Sequence, residues 1–373
     1  MYRFSNGEEA TSVGASVKDV AAAAGVSIGT VSNVLNQPDR VSAATLTRVR
    51  AAIEELGYVR NDAARQLRAG RSLSIGFIAL DLANPFFAAV AKGAQERAAE
   101  EGLFVLAAAS NDTPEREVAY LDHFREQRVV GVLVTPASGD PGALARLEAV
   151  GAPIVLVDRD AGDARLSSVS VDDVHGGYLA VSHLLGTGRR RVVFVGGPPT
   201  LPQVIDRLAG ARRASAEVNG SDLEYMATTE LTVMAGREAA ARILERDPIE
   251  RPDAVFCAND LVAIGMLQGL SIIGGVRVPA DIALIGYDDI DFAATAIVPL
   301  SSVRQPAVQI GRAAVELLRE QDDDPAQPRR VRFMPELVIR ESSRPSPAVV
   351  TSGAHEHPRS DHPDPVHDRE GAR

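Results

Sequence analysis

One cysteine, few aromatics and no long apolar stretch set the first limits on this chain of 373 residues. With Cys257 alone no intramolecular disulfide can form, and a reducing compartment suits the protein. Flanked by Ala254, Val255, Phe256 and Ala258, the thiol reads as a small buried hydrophobe. No apolar run approaches the roughly 20 residues of a membrane span. The first 16 residues also lack the apolar stretch of a secretory leader. A cytoplasmic protein without a membrane partner is expected.

Phosphate-loop, zinc-ligand and dinucleotide glycine patterns are missing too, so no cofactor, metal or catalytic residue is expected. An enzyme would have to rest on Asp288, Asp289 and Asp291 as a metal cluster, or on His175 and His183 as an acid–base pair. The two histidines fall on one expected helix and read as surface positions. The expected class is therefore not an enzyme.

What is present is 45% hydrophobic residues, enough for a substantial core, at a length that suits two or three domains. The net charge of −11 argues against a nucleic-acid partner until it is localised. In residues 17–71, Lys18, Arg40, Arg48, Arg50, Arg60, Arg65, Arg68 and Arg71 outnumber Asp19, Asp39, Glu54, Glu55 and Asp62, so 8 − 5 leaves +3. The acidity belongs to the remainder, which should repel DNA and leave this front as the only contact.

The same stretch carries helix-turn-helix spacing. Ser16 can cap a first helix, with Asp19 reaching back as in a capping box, and Gly25 can end it. After Val26 alone, Ser27 opens a second helix through Val34 and Leu35. Val17, Val20, Ala21, Ala24, Val31, Val34 and Leu35 recur at spacings of three and four, enough to pack both helices on a third at residues 43–56. The polar side of the second helix is then the reading face. Ile28, Gly29 and Asn33 lie towards base edges, Ser27, Thr30 and Ser32 offer hydroxyls to phosphates, and the Asn33 amide can pair bidentately with adenine. Residues 25–29 also fit the G-x-S-x-G nucleophile elbow, but that motif needs a preceding strand, and an alanine-rich helical run stands there.

At this point the chain resembles the lactose-repressor (LacI) family of bacterial transcription regulators. The resemblance is carried by VKDVAAAAGVSIGTVSNVLN (residues 17–36), Val41-Ser42, IEELGYVRN (53–61) and ARQL (64–67). It implies that Asn36 joins the reading helix, and that a hinge helix with Asn61, Ala64, Leu67 and Arg68 folds on the operator. Leu67 would be the apolar wedge between base steps, with Arg65, Arg68 and Arg71 on phosphates. Arg60 departs from the proline common in the family, and Gly29 offers no side chain to a base.

From Leu73 the pattern changes to apolar runs alternating with amphipathic stretches. Strands are predicted at residues 74–80, 103–109, 129–135, 153–158, 191–196, 225–229, 254–258 and 282–287. Helices are predicted at 86–101, 114–127, 174–185, 236–245 and 261–273. The alternation implies parallel sheets covered by helices on both faces, with too many units for one sheet. The expected fold class is α/β: an all-α headpiece followed by a two-lobed, doubly wound parallel-sheet core like the periplasmic sugar-binding proteins. By that resemblance three crossings join the lobes, near residues 171, 301 and 333. The expected division is an arm at 1–16, the headpiece at 17–60, a hinge at 61–72, and a core at 73–342. One lobe takes 73–171 with 301–332, the other 172–300 with 333–342, and a disordered tail runs from 343 to 373. His355, His357, His362 and His367 lie in that proline-rich tail, which reads as floppy rather than metal-binding.

In doubly wound sheets ligands sit beyond the carboxyl ends of strands. Asp81, Asn84, Phe86, Phe87, Asp158, Arg159, Arg207, Asn259, Asp288 and Gln305 occupy such positions, with Arg207 expected to open a helix. Carboxylates, amides and guanidinium groups pair with vicinal hydroxyls, and phenyl rings cover the C–H faces of a sugar. Resemblance to ribose-binding proteins carries this set over as effector contacts, a pentose foremost; Leu231 stands near an aromatic position of those proteins. Taken singly, Asp260 and Asp289 could instead cap helices, and Arg207 could form a surface ion pair. The expectation is a homodimeric regulator, a repressor of carbohydrate genes, binding double-stranded operator DNA and a small sugar effector. The alternatives are a plain solute-binding protein, or a regulator answering to a purine or phosphosugar.

Overall fold

The Ser16 cap and the Gly25 stop are both used. In the computed structural model, which describes residues 15–58, 72–138, 141–148, 152–323 and 328–344, α1 spans Val17–Ala24. The Asp19 amide donates to Ser16 Oγ at 3.4 Å while the Asp19 carboxylate accepts from the Ser16 amide at 2.8 Å. Gly25 turns the chain at φ 63°, a conformation that costs glycine nothing. Ser27 then caps α2 (Ile28–Asn36), and the element directly before it is the helix α1 and not a strand, which removes the nucleophile elbow. Val20, Ala21, Ala24, Val31 and Val34 close on Val49 and Ala52 of α3 (Ala43–Glu55), with Val17 and Leu35 at the cluster's edge. The expected hinge, with Asn61, Ala64, Leu67 and Arg68, lies outside the described residues, as does the histidine-bearing tail.

Two six-stranded sheets follow. The first lobe runs β1 (Ser74–Ala79), α4 (Pro85–Ala99), β2 (Phe104–Ala109), α5 (Pro114–Glu126), β3 (Val132–Val134), α6 (Pro141–Glu148), β4 (Ile154–Val157) and β5 (Ser167–Val171). The chain then crosses to α7 (Asp173–Gly186), β6 (Arg191–Gly196), α8 (Pro202–Ala216), β7 (Asp222–Ala227), α9 (Val233–Leu244), β8 (Ala254–Cys257), α10 (Asp260–Leu267), β9 (Ala283–Asp288), α11 (Asp291–Ala294) and β10 (Ser301–Arg304). It returns for α12 (Ala307–Asp323) and β11 (Arg330–Phe333), and ends with β12 (Glu336–Val338) in the second lobe. The strand orders are β11-β5-β4-β3-β1-β2 and β12-β10-β9-β8-β6-β7, parallel except for β12 against β10.

The sheets are buried on both faces. Ile75, Phe77 and Ala79 of β1 point into one core with α4 and α12, and Ile78 points into the other with Leu121 and Phe124 of α5. This burial is why β1, β3, β4, β8 and β9 read as unbroken apolar runs. Cys257 is fully buried in β8, as expected.

Several boundaries differ from expectation. β5 and β10 were not predicted, because Ser167, Ser168, Ser170, Ser301 and Ser302 interrupt their apolar pattern. Those serines are nevertheless buried, and Ser301 and Ser302 donate to Arg340 O at 3.0 Å and Asp260 Oδ1 at 2.7 Å. β10 pairs with β9, so residues 301–304 belong to the second lobe and the second crossing falls at Gln305, not near 301. The tail was expected from 343, yet Ser343 is buried and bonded to Ser301 Oγ at 2.7 Å and to His183 Nε2 at 2.9 Å. His183 is accordingly half-buried rather than a surface group, and desolvation holds its pKa below the ordinary histidine value. Arg207 does not open a helix; Pro202 starts α8 and Arg207 lies in its second turn.

Candidate functional site

Two places on the chain gather the polar groups singled out above. The first is the outer face of α2. Ser27, Ile28, Gly29, Asn33 and Asn36 are exposed, and Thr30 and Ser32 half-buried. The hydroxyls of Ser27 and Thr30 lie 2.9 Å apart, and Ser27 Oγ also accepts from the Thr30 amide at 3.1 Å. Asn36 Nδ2 donates back to Ser32 O at 2.9 Å, which holds that side chain along the helix. Ile28 is 44% exposed.

The second is the cleft between the lobes, a cavity of about 70 Å³. The first lobe contributes Asp81, Asn84, Phe86, Phe87 and Asp158, and the second contributes Arg207, Asn259 and Asp288. Eight of the ten expected residues therefore line one wall or the other. Gln305 faces a neighbouring hollow beside the crossings and reaches the cleft only through Asp288, while Arg159 is absent from the lining. Leu80, Asp112, Leu201, Gln203 and Leu231 complete the walls. Asp112 follows β2 as Asp81 follows β1, so the rule of strand ends would have found it; Gln203, on a helix, gives no such signal.

Two hydrogen bonds span the cleft. Asn84 Nδ2 donates to Asp288 Oδ2 at 3.3 Å, and Gln203 Nε2 donates to Asp158 Oδ2 at 3.4 Å. Asn84 also caps α4 by accepting from the Phe86 amide at 3.0 Å, and Gln305 Nε2 donates to Asp288 Oδ1 at 2.8 Å. Asp158 and Asp288 sit at positive φ, 56° and 100°, where a non-glycine residue is held only by its surroundings.

Behind the wall lies the structural support. Gly177 and Gly210 let α7 and α8 touch backbone to backbone: a Cβ would lie 2.0 Å from Arg207 O at the first and 1.8 Å from Val174 O at the second. That approach sets Asp173 against Arg207, at 2.8 Å from its Nε. Arg207 also donates to Ala258 O at 2.6 Å and stacks 3.6 Å above the Tyr287 ring. Its surface ion-pair reading is thus replaced by a buried one. Asn259, not Asp260, caps α10, and Asp260 is fully buried, accepting from Ser302 Oγ and the Ile290 amide. Asp289 pairs with Arg304 and Arg340 at 2.7 and 2.6 Å. No group of three or more metal-ligating side chains with metal-site geometry occurs among the described residues.

Burial dominates the charges. It pushes the Asp158 carboxyl up to about 8, helped by the fields of Asp173 and Asp288 and opposed by Arg207. Asp288 rises to about 6, also through burial, with Arg207 and the amides of Asn84 and Gln305 holding it down. Burial opposes the charge of Arg207, but Asp173, Tyr287, Asp288 and Asp158 together more than offset it.

An exposed reading helix on a small head, followed by two doubly wound lobes around a polar cleft, defines a DNA-binding regulator with a small-molecule site in its core. The family described as bacterial regulatory proteins, lacI family, matches residues 16–61, and a periplasmic binding protein-like domain matches residues 181–343. The chain is 34% identical over 331 residues to the HTH-type transcriptional repressor PurR of Aliivibrio fischeri, covering 88% of this chain and 98% of that one. The Lac repressor dimer bound to operator and the anti-inducer ONPF shares the fold with a TM-score of 0.76 at 28% identity, over 88% of this chain and 99% of the repressor. A CelR–cellobiose complex superposes with a TM-score of 0.64 at 32% identity, over 88% and 99%. The chain belongs to the lacI family, whose members are transcriptional regulators and not enzymes. No helix among the described residues is long and apolar enough to cross a membrane.

Proposed function

We propose that this regulator represses carbohydrate genes as a homodimer, and that a small sugar held between the lobes sets its affinity for the operator. The observation that carries the reading is the pair of amide–carboxylate bonds, Asn84 to Asp288 and Gln203 to Asp158, that join the lobes across the expected effector residues. A polyol seated there contacts both lobes at once and so favours one lobe angle over another. Effector and operator are then coupled with about 1–3 kcal/mol, a 5- to 150-fold change in DNA affinity.

In this reading two heads occupy half-sites of a near-palindrome, α2 lies in the major groove, and Asn61, Ala64, Leu67 and Arg68 meet the minor groove. A pentose is the first candidate, from the likeness of the contact set to ribose-binding proteins, from which Leu231 departs by standing near an aromatic position and stacking less on a ring. The CelR relative bound to cellobiose supports a sugar as the class.

The test is a thermal-shift screen of the full chain against free sugars, followed by operator binding with and without each hit. A sugar at 100 times its Kd should add about 2.7 kcal/mol of stability. A hit that stabilises the protein yet leaves operator affinity unchanged would refute the coupling.

A further inference from the structure

The carboxylates in the cleft outnumber what a polyol alone needs. Asp81, Asp112, Asp158 and Asp288 line it, and Glu230 adds its field at Asp112. Arg207, the one cation in the lining among the described residues, has its Nε on Asp173 at 2.8 Å and one amino group on Ala258 O at 2.6 Å. Its charge is matched by Asp173, so Asp81, Asp112 and Asp288 make the lining acidic even where burial keeps Asp158 protonated. Arg159 Nε, a donor outside the lining, is buried without a partner, but the unpartnered amide oxygens Gln203 Oε1 in the lining and Gln305 Oε1 beside it are acceptors. A ligand that satisfies them must bring donors.

We infer that the cleft selects a hydroxyl-rich effector carrying no negative charge and rejects the phosphate ester of the same sugar. This rests on the reading of the cleft as the sugar site and narrows it. A phosphate dianion between the lobes would meet Asp112 and Asp81 at the mouth or Asp158 and Asp288 within. The guanidinium in the lining, Arg207, is already paired with Asp173. Burial in the first place raises the proton affinities of Asp112, Asp158 and Asp288; neighbouring carboxylates add to it, and Arg207 opposes it at Asp158 and Asp288 without reversing it. A sugar hydroxyl, by contrast, donates to these oxygens whichever way its own acceptors turn.

The experiment titrates the full-length protein by calorimetry with paired probes, ribose against ribose 5-phosphate and glucose against glucose 6-phosphate, in the wild type and in Asp81→Asn/Asp112→Asn. Both substituted positions lie at the open mouth, where neutralisation leaves the fold intact. The free sugar of at least one pair should bind and its ester should bind on the order of 100-fold more weakly or not at all, as two close like charges require. In the double variant that ratio should fall by about 10-fold. An ester binding as tightly as its sugar would overturn this inference while leaving the sugar site standing. A ratio unchanged in the double variant would show that size and not charge excludes the ester, and would equally overturn it. No binding of any of the four probes would remove the sugar reading itself, and this inference with it.

Discussion

Asn84 does two jobs with one amide: its Oδ1 caps α4 in the first lobe and its Nδ2 reaches Asp288 in the second. The end of a helix and the closure of the cleft are therefore tied to a single side chain.

Asn84→Ala should lower stability by about 1 kcal/mol through the lost cap and weaken effector binding by about 10-fold through the lost bridge. Asn84→Asp keeps the cap and sets a carboxylate against Asp288. Because the cap is kept while a like charge faces Asp288, effector affinity should not recover, and an affinity equal to wild type would show that the bridge contributes nothing.

The buried acids predict how the effector-free protein responds to pH. A carboxyl whose folded pKa is raised binds its proton more tightly when folded, so its contribution to stability is present at low pH and is lost as pH rises. For Asp288, at about 6, the loss falls between the ordinary aspartate range and pH 6; for Asp158, at about 8, it extends up to pH 8. The melting temperature of the effector-free protein should therefore fall from pH 6 to pH 8, and Asp158→Asn should flatten that limb. A slope untouched by the substitution would place the responsible proton elsewhere.

Arg207 and Asp173 form a buried pair, each with less than a tenth of its side chain exposed. Removing the cation alone leaves a buried carboxylate, and Arg207→Leu should cost about 3–5 kcal/mol. Adding Asp173→Asn should recover part of that loss, a coupling that chemical denaturation of the two single variants and the double would measure.

On the DNA side, Asn33 is exposed and makes no side-chain hydrogen bond among the described residues. Asn33→Ala should leave the headpiece as stable as before and weaken the selected operator by about 1–3 kcal/mol. Binding to random duplex should be unchanged. Loss of both in parallel would assign Asn33 to the phosphates.

Local chemistry decided the head, and the sequence carried it almost whole. Ser16, Asp19, Gly25 and Ser27 specify where two helices start and stop through bonds no more than a few residues long, and spacings of three and four choose their buried faces. The apolar runs of β1, β4, β8 and β9 announced a parallel core for the same reason: a strand buried on both faces has no polar side to hide. β5 and β10 escaped because their serines find partners only in the folded chain: Ser167 and Ser168 accept from the Arg329 and Ala161 amides, and Ser301 and Ser302 donate to Arg340 O and Asp260. The strand-end rule placed Asp81, Asn84, Asp158 and Asp288 at the cleft. That Arg207 is matched by Asp173, that Gln203 meets Asp158, and that Gln305 stands outside the lining were decided by tertiary structure alone. Each depends on distances between segments separated by tens of residues or more, set here by how closely α7 and α8 pack and how the lobes close. Sequence fixes which groups are present; a charge is matched or left open only when distant backbone brings its partner within reach.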